Sequence, residues 1–117
     1  MTAFRLISLP LHGAIELMIG LGLMAAPFLL GFEAAGLISA LAVGALVCGL
    51  ALGAANAPEG RIDVTAHFAY DLGLVAGLFG AGLALALGGD PVAGITFVGA
   101  AAASMALNVT TRYSARR

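Results

Sequence analysis

Apolar runs dominate this chain, and three short turn-forming segments separate them. Residues 8–30, 34–55, 64–87 and 91–111 are each close to the ~20 residues that carry a helix across a bilayer. Gly31-Phe32-Glu33 makes a tight turn between the first two runs. "NAPEGRID" (56–63) is the one substantial loop. "GGDP" (88–91) ends the third run on glycine and opens the fourth with Asp90 as N-cap and Pro91 at the first helical position. The pattern predicts an all-α polytopic membrane protein, a single membrane domain of four transmembrane helices. Its two hairpin repeats cover 8–55 and 63–111.

Composition leads to the same place by another route. The chain has 117 residues, and 9% are charged where a soluble domain of this size would carry about a quarter. Eleven acidic and basic side chains cannot coat a globule, so the surface is apolar and the solvent is lipid. A net charge of -1 speaks against nucleic acid as a partner, and the single Cys48 excludes an intrachain disulfide. Arg5 before an apolar run has the look of a signal peptide. The polar pair His12 and Glu16 inside that run, and its echo later in the chain, argue for a retained helix.

Charge placement predicts orientation. Arg5 precedes the first run, Arg61 lies in the central loop, and Arg112, Arg116 and Arg117 follow the last run, while the two short turns carry Glu33 and Asp90. The positive-inside rule then puts both termini and the central loop in the cytoplasm, with the protein in the inner (plasma) membrane. Phe28 and Phe32 toward the outer face, with Phe68, Tyr70 and Tyr113 toward the inner one, form an aromatic belt.

Displacing the chain on itself by 55 residues aligns the halves without a gap. "HGAIEL" (12–17) falls on "HFAYDL" (67–72), and "VGA" at 43–45 falls on "VGA" at 98–100. Alanine, glycine and leucine matches are cheap in such a composition. A histidine match is not, because the chain holds two histidines, each followed four residues later by an acid. Two helices per repeat bring both halves into the membrane from the same side, related by a pseudo-twofold axis along the membrane normal. His12 and His67 are then expected at one depth, with Glu16 and Asp71 at another, near the cytoplasmic surface.

The hairpin "LHGAIELMIGLGLMAAPFLLGFEAAGLISALAVGALVCGLALGA" (11–54) resembles the SPW repeat of small bacterial membrane proteins. That repeat ends its first helix in a Ser-Pro-Trp type motif and a Leu-Gly-Phe-like turn. "APFLLGF" (26–32) keeps Pro27, with Ala26 for serine and Phe28 for tryptophan, whereas "AGLALAL" (81–87) has lost the proline. The resemblance implies a two-repeat, four-helix membrane protein and brings no activity with it.

Chemistry concentrates in His12, Glu16, His67 and Asp71. Positions i and i+4 share a helix face, so each histidine reaches its own acid. The bland arrangement leaves each pair self-satisfied near the headgroups. If both faces turn inward, the four groups would bind a divalent metal ion such as zinc, iron or manganese. Two histidines from different helices would also serve a haem, and a histidine–carboxylate pair handles protons. Asn108, level with the histidines, either joins this polar network or caps helix-end carbonyls. Gly73 with Gly77, Gly49 with Gly53, and the ridge of Gly36, Ala40 and Gly44 predict close helix packing, within the chain or between chains. Pro27 either kinks the first helix or ends it.

No nucleophile–base arrangement or nucleotide motif points to an enzyme. The expectation is a structural or interaction component of the membrane, whose partners are the lipid bilayer and a second copy or another membrane protein. The rival from a different class is a metal- or haem-binding protein built on the four polar residues.

Overall fold

A computed structural model describes residues 6–55 and 64–111. It contains four helices: α1 (Leu9–Leu30), α2 (Ala34–Ala55), α3 (Val64–Leu87) and α4 (Pro91–Thr110). At 1.5 Å per residue, 20 to 24 residues make helices of about 30–36 Å, the thickness of a bilayer's hydrocarbon core. All four are long and apolar enough to cross a membrane. Arg5, Arg61, Arg112, Arg116, Arg117, Tyr113, Asp63 and the rest of the 56–63 loop lie outside the described residues.

The helix ends follow local chemistry. The Ser8 hydroxyl accepts from Leu11 N at 3.4 Å to open α1, and Asp90 accepts from Ala93 N at 3.1 Å to open α4. Helix α1 runs past Pro27 and stops at Gly31, whose left-handed backbone (φ 71°) lets its N–H reach the Pro27 carbonyl at 3.0 Å. Glycine, not proline, terminates the helix.

Two hairpins, α1–α2 and α3–α4, pack side by side, with α1 also against α4 and α2 more loosely against α3. Helices α1 and α3 therefore face each other across the diagonal of the bundle. Leu23, Ala40, Val47, Leu74, Leu78, Phe97 and Ala101 fill its middle. The outside is apolar too, with Phe28, Leu29, Met18, Ile95 and Leu87 exposed. Lipid is as apolar as this core, so packing and polar contacts, more than burial of oil, hold the helices together.

The hairpins are stapled at both ends. At the turn end, Asp90 Oδ2 of the second hairpin accepts from Glu33 N of the first at 2.8 Å. At the other end, Ile7 N donates to Thr110 O at 2.9 Å, setting the chain just before α1 beside the end of α4.

Burial corrects the gapless repeat. A shift of 55 holds for α1 and α3, where His12, Glu16 and Leu23 match His67, Asp71 and Leu78, all buried. Applied to α2 it fails, because it pairs buried Gly36, Ala40, Gly44, Val47 and Ala51 with exposed residues. A shift of 57 pairs them instead with Ala93, Phe97, Ala101, Ser104 and Asn108, every one buried. The cause is two extra residues at the end of α3, which reaches Leu87. The two "VGA" strings are therefore not structural equivalents, whereas Glu33 and Asp90 are.

The glycine expectations divide. A Cβ at Gly36 would press on Asp90 and Ala93, and one at Gly44 on Gly20 O and Met24, so these two serve close packing as expected. Gly49, Gly73 and Gly77 face open space, and Gly53 is half-buried. Within this chain the Gly73–Gly77 pair and Gly49 bring no helices together. They line an apolar groove of about 730 Å³ between α2 and α3, with Leu46, Leu50 and Tyr70.

Candidate metal centre

Each histidine–acid pair stands in the first turns of its helix, where i and i+4 spacing puts both groups on the inward face. Relative exposure is 0% for His12, 3% for Glu16, 2% for His67 and 1% for Asp71, so none has bulk water to solvate it. Taking a carboxylate out of water costs several kcal/mol unless a partner compensates. The partners come from the diagonal helix as well as from each residue's own.

His12 Nε2 lies 3.0 Å from Asp71 Oδ2 and 3.6 Å from Glu16 Oε1. His67 Nε2 lies 3.3 Å from Asp71 Oδ2 and 3.8 Å from Glu16 Oε1. The cross-helix approach of His12 to Asp71 is shorter than the approach to its own acid. Two self-satisfied pairs are thus not what forms: the four groups make one cluster, and the imidazoles meet edge to face with centroids 5.8 Å apart. One donor atom from each residue lies within 4.8 Å of every other.

That spacing has a chemical meaning. Four ligands at about 2.1 Å from a zinc-sized ion stand roughly 3.4 Å from one another at the corners of a tetrahedron. The four nitrogen–oxygen separations, 3.0 to 3.8 Å, bracket this edge. Two carboxylates carry two negative charges, which one divalent cation neutralises. Two imidazole nitrogens with two carboxylate oxygens suit zinc, iron or manganese. Haem does not fit. A porphyrin between the imidazoles needs the equatorial space that the Glu16 and Asp71 carboxylates occupy.

Helix α4 walls the cluster on a side the repeat pattern did not foretell. Its buried stripe is apolar at Ala93, Phe97 and Ala101, then becomes polar at Ser104, Asn108 and Thr111. Thr111 Oγ1 lies 2.8 Å from His12 Nδ1 and donates to Leu107 O at 2.6 Å. Asn108 is buried one turn before Thr111, and its carbonyl receives Thr111 N at 3.5 Å. The sequence pattern sets Asn108 level with the histidines and gives Thr111 no part beyond the end of the fourth run. The i, i+4, i+7 spacing of Ser104, Asn108 and Thr111 was the signal that could have found it.

No protein-family model, curated protein or solved structure matches this chain.

Proposed function

We propose that this chain is a small integral membrane protein that holds one divalent transition-metal ion, with His12, Glu16, His67 and Asp71 as ligands. The observation that carries the reading is the convergence of four buried donor atoms, from two diagonal helices, within 4.8 Å of one another. Two properties of the donors support it. Their two carboxylates cancel the charge of a divalent ion at a place in the bundle where all four groups are shut off from bulk water. They also join hairpins that otherwise share few polar contacts, so an ion here ties the two repeats together.

The protein purified in mild detergent and loaded with zinc, cobalt or manganese is expected to retain one ion per chain after desalting. Replacing His12 and His67 together by alanine abolishes retention. A wild-type chain that retains no ion while its fold stays intact overturns the reading and leaves the cluster a hydrogen-bonded lock between repeats, the role of a structural component.

Location belongs to the same proposal. Five basic residues flank the spans on one side, which supports a bacterial inner-membrane protein with both termini in the cytoplasm and the centre one to two helical turns from that surface. The resemblance to the SPW repeat is consistent with two parallel hairpins. Reporter fusions at either terminus, active only on one side of the membrane, test the orientation.

A further inference from the structure

We infer that Thr111 is a positioning residue for this centre: it fixes the tautomer of His12 so that Nε2 presents its lone pair to the cation. The inference rests on the metal-binding reading and adds to it a residue outside the ligand set. A threonine hydroxyl has one proton to give. Here that proton goes to Leu107 O at 2.6 Å, leaving the hydroxyl oxygen as an acceptor toward His12 Nδ1 at 2.8 Å. Nδ1 must then carry hydrogen, and the neutral ring has its lone pair on Nε2. Nε2 is the atom that faces Asp71 and Glu16. Without an ion, the 3.0 Å approach of Nε2 to Asp71 Oδ2 is that of a hydrogen bond donated by Nε2. With the Nδ1 hydrogen held by Thr111, the hydrogen that an arriving cation displaces is the one on Nε2, and the tautomer set by Thr111 is the one that ligates.

The surroundings fit a built second layer of contacts. Thr111 is fully buried, and Ile7 N donating to Thr110 O fixes the backbone beside it. A histidine ligand held at its other nitrogen in this way has its ring orientation set before the metal arrives. The two hairpins differ on this point. The 57-residue shift that relates α2 to α4 puts residue 54 opposite Thr111, and residue 54 is an alanine.

The test is zinc and cobalt titration of the detergent-solubilised full chain as wild type, Thr111→Val and Thr111→Ser. Thr111→Val is expected to weaken binding about 10–100-fold, the usual cost of losing such a partner, with one ion still bound at saturation. Thr111→Ser restores wild-type affinity and the wild-type cobalt absorption band. A valine variant that binds as tightly as wild type overturns the inference, as does a serine variant that stays as weak as valine. A wild-type chain that binds no ion overturns the centre itself and this role with it. Should the valine variant fail to fold, labelled-histidine NMR of the zinc-loaded wild type decides. His12 ligated through Nε2 with hydrogen on Nδ1 supports the inference, and ligation through Nδ1 overturns it.

Discussion

Small residues do opposite things at two seams of this bundle. Along the seam inside the second hairpin, Gly94 and Gly82 bring α3 and α4 so close that a Cβ at Gly94 would come 2.7 Å from the Gly82 carbonyl oxygen. Along the α2–α3 seam, Gly49, Gly73 and Gly77 have nothing within 4 Å of where a Cβ would stand. The same residue type is packed in one place and idle in the other. Hairpins close on themselves through backbone proximity. Between hairpins, polar side chains do much of the joining: the cluster and Thr111 at one end, Asp90 at the other.

The sharpest way to test that division is to remove one charge from the joint. Asp71→Leu strips both imidazoles of their nearest carboxylate, leaves Glu16 buried, and should destabilise the metal-free chain by about 3–5 kcal/mol in thermal unfolding in detergent. Replacing all four groups, with leucine at positions 12, 67 and 71 and methionine at 16, should be neutral or stabilising by up to about 4 kcal/mol. If the quadruple variant is as damaged as the single one, the cluster is needed for the fold, and the joint is more than a sum of charges.

Next in size comes the packed seam. Gly94→Ala sets a methyl against the backbone of Gly82 and Ala86, where no flexible atom can yield, and is expected to cost about 1–3 kcal/mol. The turn-end staple ranks below it. Asp90→Ala loses both the cap on Ala93 N and the bond to Glu33 N, for about 1–2 kcal/mol, whereas Asp90→Asn keeps an acceptor and most of the stability.

The smallest effect belongs to the open seam. Gly77→Ala and Gly73→Ala should leave the monomer unharmed and add up to about 1 kcal/mol each, because alanine stiffens a helix that glycine loosens. Unfolding of the two variants beside Gly94→Ala puts the comparison in one experiment. Equal damage at all three glycines would erase the distinction between the seams.

Much of this was readable from the chain. The predicted ends of the second and third helices match the observed ones, and Ser8 and Thr111, counted as helical, prove to be the flanking caps of the first and fourth. The matched pairs His12–Glu16 and His67–Asp71 announced a paired site because rare residues stand out against a background of alanine, glycine and leucine. The register of α2 against α4 was misread for the opposite reason. There the only matches were common residues, and two extra residues in α3 were invisible until burial exposed them.

What the sequence determined by itself is what depends on local pattern: four spans, their caps, the repeat, and which residues are too polar for lipid. Run length, capping chemistry and hydropathy act within a few neighbouring residues, so a one-dimensional reading captures them. The tertiary structure decided which pairs meet. Whether His12 faces Glu16 alone or Asp71 as well, whether a glycine lies under a backbone or open groove, and whether Thr111 reaches His12 across 99 residues all depend on the rotation of each helix. In a chain whose helices are apolar on nearly every side, hydropathy cannot set that rotation. Close backbone contacts and a handful of buried polar bonds do.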